Sequence, residues 1–143
     1  MPRRRSPSRL SRIPILGGAV LLAILSGCAP VASPDPQLVA LQERALSLTR
    51  SAQLGDQLRS DGRMFTTTTK ALLSGMEQKL ADVTREAALH QPVDEEDAAY
   101  RDDLLDASLA ALDAVQSADA GDPGAAAELD AAAERLDRLG DGS

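Results

Sequence analysis

Leucine and alanine recur at spacings of three and four residues through most of the chain, and this periodicity constrains the fold more than any other feature. Such spacing places apolar side chains along one face of an α-helix. Residues that favour strands are scarce. From residue 28 onward there is no isoleucine, alanine fills 23 of 116 positions, and the only aromatic residues are Phe65 and Tyr100. The sequence therefore predicts an all-α fold.

Local start and stop signals predict two helices in the first part of this region. Asp35 and Pro36 suit an N-cap and a first helical position, and Ser60-Asp61-Gly62 is expected to end that helix. The second helix is expected from about residue 64 to residue 90, including the run Thr66–Thr69, because packing outweighs the low helix propensity of threonine. The predicted apolar stripes are Leu38, Leu41, Ala45, Leu48 and Ala52 in the first helix, and Leu72, Leu73, Met76, Leu80, Val83 and Ala87 in the second.

Two further helices are predicted after Pro92. The third opens with Asp94 and has three more acids in its first turn, where they interact favourably with the helix dipole. The fourth is expected from about residue 125 to residue 139, with Gly140 as its C-cap. The predicted stripe of the third helix is Leu105, Leu109 and Leu112, extended by Ala98 and Val115, with Leu104 beside it. The predicted stripe of the fourth helix is Leu129, Ala132, Leu136 and Leu139.

The connections between the predicted helices are short, and short connections make consecutive helices antiparallel neighbours. We therefore expect a small antiparallel up-down-up-down bundle of about four helices over residues 35–143. The alternative is a pair of long hairpins that associate between molecules as a coiled coil.

The first 27 residues have the organisation of an export signal. Residues 1–12 carry five arginines and no acid, and residues 13–25 are all nonpolar. A basic region followed by a short apolar region is typical of a secretory signal peptide. The nonpolar run would span about 20 Å as a helix, which is less than the ~30 Å hydrocarbon core of a bilayer. A transmembrane helix is therefore the less favoured interpretation.

The apolar region ends in Leu25-Ser26-Gly27-Cys28, and Cys28 is the only cysteine of the chain. These four residues resemble the lipobox of bacterial lipoprotein precursors. The resemblance covers the first 28 residues and implies cleavage between Gly27 and Cys28, a diacylglycerol on the Cys28 sulfur, and often acylation of the new amino terminus. The alternatives are a cleaved secretion signal with an incidental cysteine, or an uncleaved anchor.

On this interpretation the chain has three parts: a signal peptide (residues 1–27), a lipidated cysteine with a Pro-containing tether (residues 28–34) and the helical domain (residues 35–143). The resemblance implies anchoring to membrane lipid through Cys28 at the outer face of the cytoplasmic membrane. In a host with two membranes, Ala29 after the cysteine resembles the outer-membrane sorting type.

Charge is distributed unevenly after the signal. Residues 28–92 carry seven acids and seven bases, whereas residues 93–143 carry fifteen acids and three bases. A nucleic-acid partner is not expected, because binding phosphate chains requires clustered lysine and arginine. The acidic second half indicates either a docking surface for another envelope protein or a means of solubility and of repulsion from anionic lipid.

Few residues suggest chemistry. Glu86 and His90 lie four apart, but di-metal bundles use Glu-x-x-His pairs on two helices, and there is no second histidine. We interpret Glu86 and His90 as an exposed pair. A dense acidic patch is expected around Arg101, but it lacks the spacing of an EF-hand loop and is interpreted as a solvated helix face. The patch comprises Asp94, Glu95, Glu96, Asp97, Asp102, Asp103 and Asp106.

Nucleophilic catalysis has little support in the sequence. After lipidation no free thiol would remain, and His90 would be the sole histidine base, without an evident orienting partner. We therefore expect no enzyme, no cofactor and no metal site. The expected function is that of a membrane-anchored cell-envelope lipoprotein, with a non-enzymatic interaction or structural module. The alternative is a helical bundle that binds a small ligand or a divalent cation.

Overall fold

The computed structural model describes residues 34–141, so the lipobox and the tether up to residue 33 lie outside the described residues. Within the described range the chain forms four α-helices and no strand, and the all-α prediction is confirmed. The helices are α1 (Pro36–Ser60), α2 (Thr66–Leu89), α3 (Glu95–Ala120) and α4 (Ala125–Asp141). None of these four is both long and apolar enough to cross a membrane.

The helices form an up-down-up-down bundle. α1 and α3 each pack against α2 and α4, and they also contact each other across the diagonal, whereas the backbones of α2 and α4 do not come close to each other. α3 buries the small residues Ala107, Ala111 and Ala114, and small buried side chains allow helix axes to approach closely. We call the end with the start of α1, the end of α2, the start of α3 and the end of α4 the near end, and the opposite end the far end.

The helix boundaries follow local capping signals. The Asp35 carboxylate accepts a hydrogen bond from the Gln37 backbone N–H at 2.7 Å, and Pro36 is the first residue of α1. The threonine run is helical as predicted, with Thr69 buried. α3 ends at Gly121, whose φ of 80° lies in the left-handed region that favours glycine.

The predicted core face of α3 is wrong by about one residue. Leu104 is fully buried, whereas Leu109 is 48% exposed. Leu105 and Leu112 are only partly buried at the margin of the core. One residue turns the helix by about 100°, so the face that meets the other helices carries alanines where the prediction placed leucines. The buried residues of α3 are Asp97, Leu104, Ala107, Ser108, Ala111, Ala114, Val115 and Ala118.

The predicted C-cap of α4 is also wrong, since the helix continues through Gly140 to Asp141. A Cβ at position 140 would lie 3.1 Å from Nε2 of Gln42. That nitrogen is itself occupied, because it donates a buried hydrogen bond to the Leu136 carbonyl oxygen at 2.7 Å. Gly140 thus allows α4 to pass close to a polar side chain of α1.

Candidate functional site

A buried carboxylate ties together three segments at the near end. Asp97 is only 6% exposed. Its Oδ1 accepts a hydrogen bond from the Asp35 backbone N–H at 2.9 Å, and its Oδ2 accepts one from the Val93 N–H at 3.4 Å. The Asp97 N–H in turn donates to Oδ1 of Asp94, the N-cap of α3, at 2.9 Å. Asp97 therefore fixes the point where the chain enters α1 against the α2–α3 connection.

His90 lies beside this cluster. Its Nε2 is 3.7 Å from Oδ2 of Asp35, which is too long for a hydrogen bond, and it is buried without a hydrogen-bond partner among the described residues. Glu86 pairs instead with Arg44 of α1, at 3.2 Å. The prediction of an exposed Glu86–His90 pair is therefore wrong, because Glu86 pairs with Arg44 and the His90 side chain is buried beside Asp35.

The acids expected around Arg101 do not form one cluster. Arg101 pairs with the adjacent Asp102 at 2.8 Å, Asp106 lies 3.9 Å from Arg135 of α4, and Asp97 is directed inward. Within residues 34–141 no group of three or more histidine, cysteine, aspartate or glutamate side chains is placed to hold a metal ion.

Four carboxylates share one outward face of α3. Their positions in the sequence, 95, 102, 106 and 113, are separated by seven, four and seven residues. At 3.6 residues per turn these spacings direct all four side chains to the same side of the helix. We call this the acidic face, and its members, all exposed, are Glu95, Asp102, Asp106 and Asp113. The half-exposed Leu109 lies between Asp106 and Asp113 on nearly the same line. The face therefore combines negative charge with one apolar side chain.

Two arginines of α1 are matched by acids of neighbouring helices. Arg44 pairs with Glu86 of α2, and Arg50 pairs with Asp137 of α4 at 2.9 Å. By contrast, Glu95 and Asp113 of the acidic face form no ion pair with any described residue. The uncompensated charge that the sequence places in the second half is thus carried in part by the exposed side of α3.

Tyr100 packs against the core from the first third of α3. Its hydroxyl is buried and has no hydrogen-bond partner in the described part of the chain. Burial raises the pKa of this phenol above its ordinary value of 10.0, and the negative charge of Glu43 raises it further. Tyr100 is therefore a neutral packing residue at physiological pH.

The near-end cluster could not be found from the sequence. Asp35 and Asp97 are recognisable as capping-region acids, but their contact joins residues 62 positions apart. No local pattern indicates which of the acids at the start of α3 points inward. Gly27 and Cys28, to which the sequence assigns a processing role, lie outside the described residues.

Comparison of the chain with protein-family models, with curated proteins and with solved structures found no match. Its function is therefore inferred from its own residues.

Proposed function

We propose that the chain is a cell-envelope lipoprotein, anchored through acylated Cys28, whose bundle is a non-enzymatic module that docks a positively charged surface of another envelope protein. The observation that carries the anchoring is the order of a basic segment, a short nonpolar segment and Leu25-Ser26-Gly27-Cys28. Signal peptidase would cut between Gly27 and Cys28. The anchor would hold the protein on the outer face of the cytoplasmic membrane, or on the outer membrane of a two-membrane host.

The acidic face supports the docking role. Its carboxylates are aligned on one helix, and Leu109 supplies an apolar side chain among them. Interfaces commonly place an apolar contact at the centre and charges at the rim, where the charges govern association rate and partner choice. A partner with lysines or arginines around a shallow apolar pocket would fit this face.

The experiment that tests the anchor is the Cys28→Ala variant in the native host. Loss of the acceptor sulfur should abolish incorporation of labelled palmitate, block maturation and leave the precursor at higher apparent mass on a gel. Ser33→Ala, five residues further along and outside the lipobox, is the matched control and should behave as the wild type. Normal palmitate labelling, processing and membrane fractionation of Cys28→Ala would contradict the anchoring.

Docking through the acidic face is tested by the retention of a partner at low and high salt. Asp102→Asn/Asp113→Asn should lose most of the partner retained at low salt, because exposed charges act over roughly a 10 Å Debye length at 0.1 M salt. Asp82→Asn/Glu86→Gln removes the same amount of charge from α2, and this variant should retain the partner. Retention that is equal in the two double variants, or indifferent to salt, would contradict a role for the acidic face.

A further inference from the structure

Two large apolar side chains, four positions apart in the chain, are exposed at the near end. Leu89, the last residue of α2, is 75% exposed, and Val93 in the α2–α3 connection is 82% exposed. Leu89 falls outside the apolar stripe of α2, and Val93 precedes the N-cap of α3. Neither side chain is needed for the core, so the pair is available for contact with something outside the bundle.

The chain reaches the bundle at this same end. The backbone N–H of Asp35 donates to Asp97, whose other oxygen accepts from the N–H of Val93 itself. The entry point of the tether is therefore joined through one carboxylate to the backbone of Val93, one member of the exposed pair. Cys28 precedes Asp35 by seven residues, so whatever their conformation these residues span at most about 25 Å.

We infer that Leu89 and Val93 contact the interfacial region of the bilayer that holds acylated Cys28, and so set the orientation of the bundle on the membrane. The inference rests on the proposed lipid anchor. An acylated chain confined within a tether length of the surface presents the near end at a high effective concentration, so a contact too weak to bind a free protein becomes populated. The exposed Phe65, in the α1–α2 connection at the far end, then points away from the lipid.

The neighbouring charges specify the kind of lipid surface. Asp94, Glu95 and Glu96 follow Val93 directly and are exposed. These carboxylates are repelled by anionic headgroups, and salt screens the repulsion. The contact should therefore be strongest on zwitterionic lipid such as phosphatidylcholine, and should weaken as phosphatidylglycerol is added at low salt.

The test uses the full lipidated protein in phosphatidylcholine vesicles. Leu89→Cys, Val93→Cys and Phe65→Cys each provide one free thiol for an environment-sensitive dye, because the Cys28 sulfur is blocked by lipid. Phe65 is 83% exposed and is the matched control at the opposite end. Nitroxide-labelled lipid should quench the dyes at positions 89 and 93 at least twofold more than the dye at position 65, and phosphatidylglycerol at low salt should narrow that difference.

Flotation with the vesicles, measured on the same samples, distinguishes failure of the lipid anchor from failure of the membrane contact. Protein that floats but shows equal quenching at all three positions, or stronger quenching at position 65, overturns the membrane contact and leaves the anchor intact. Protein that does not float overturns the anchor and the contact with it. Dyes at positions 89 and 93 that are shielded only when a protein partner is added, and not by vesicles, assign this surface to that partner and overturn the lipid contact.

Discussion

The two ends of the bundle each bury one carboxylate, and they stabilise it by different means. At the near end Asp97 accepts hydrogen bonds from the backbone N–H groups of Asp35 and Val93. At the far end Asp56 is 7% exposed and pairs with the guanidinium of Arg59, which also donates to the Ala118 carbonyl oxygen at 2.9 Å. The near end therefore uses main-chain donors, and the far end uses a cation.

The difference shows what each acid contributes to the fold. Backbone donors have no side-chain rotamers through which they could turn away from Asp97. Its carboxylate therefore holds the start of α1, the α2–α3 connection and the start of α3 in fixed relative positions. Arg59 is a longer side chain on the same helix as Asp56, and its link to another element is the single hydrogen bond to the last turn of α3. The near end should consequently be less tolerant of substitution than the far end.

The largest effect is expected for Asp97→Ala. The change leaves the N–H groups of Asp35 and Val93 without their acceptor, and we expect the free energy of unfolding to fall by about 3 kcal/mol. Asp97→Asn, which keeps one acceptor oxygen, should lose roughly half as much. Urea denaturation followed by circular dichroism measures both. Asp103→Ala, an exposed acid on the same helix, is the control, and a loss at Asp97 no larger than the loss at Asp103 would refute the locking role.

A smaller loss is expected for Arg59→Ala at the far end. It leaves Asp56 without its cation, whereas the Ala118 carbonyl oxygen keeps the hydrogen bond that it accepts from the Gly121 N–H at 3.1 Å. Arg59 is also partly open to solvent, so we expect the free energy of unfolding to fall by about 2 kcal/mol in the same denaturation experiment. The double variant Arg59→Ala/Asp56→Ala should recover part of this, because no unpaired carboxylate remains. If Arg59→Ala is more costly than Asp97→Ala, the ranking of the two ends is reversed.

The close approach of α1 and α2 towards the far end gives a third prediction. A Cβ on Gly55 would lie 2.5 Å from Cδ2 of Leu72, so Leu72 must move in Gly55→Ala. Repacking outweighs the gain in helix propensity, and we expect a loss of about 1 kcal/mol. Gly75 in α2 has open space around it, so Gly75→Ala should be stabilising by about 0.5 kcal/mol. Thermal unfolding that shifts the two variants in the same direction would contradict this packing.

The smallest effect concerns Tyr100, towards the near end. The pKa of Tyr100 is higher in the folded state than in the unfolded state, so the folded protein holds the phenolic proton more tightly. The stabilisation that results is fully present below the pKa of the unfolded chain and is lost as the pH rises through the pKa of the folded protein. Absorbance at alkaline pH should show the single tyrosine ionising above pH 10.0, and Glu43→Gln should lower its midpoint slightly, since burial is the larger cause. A midpoint at or below that of the unfolded chain would place the ring outside the core.

Most helix boundaries could be predicted because they depend on neighbouring residues in the chain. Asp35-Pro36 and Asp94 act through caps and backbone geometry that a few residues define. The buried face of α3 could not be predicted in the same way. Apolar residues occur at both positions 104 and 105, so the local pattern allows two orientations, and contact with α1, α2 and α4 selects the one that buries Leu104.

The sequence by itself determined the helical composition, the boundaries set by caps, the acidic character of the second half and the resemblance of residues 25–28 to a lipobox. Each of these depends on composition or on residues within a few positions of one another. Only the tertiary structure decided that the Asp97 side chain is buried and that His90 lies beside Asp35 instead of pairing with Glu86. It also decided that Leu89 and Val93 are exposed at the end where the chain enters the bundle. These features arise from contacts between distant segments, which no local spacing specifies.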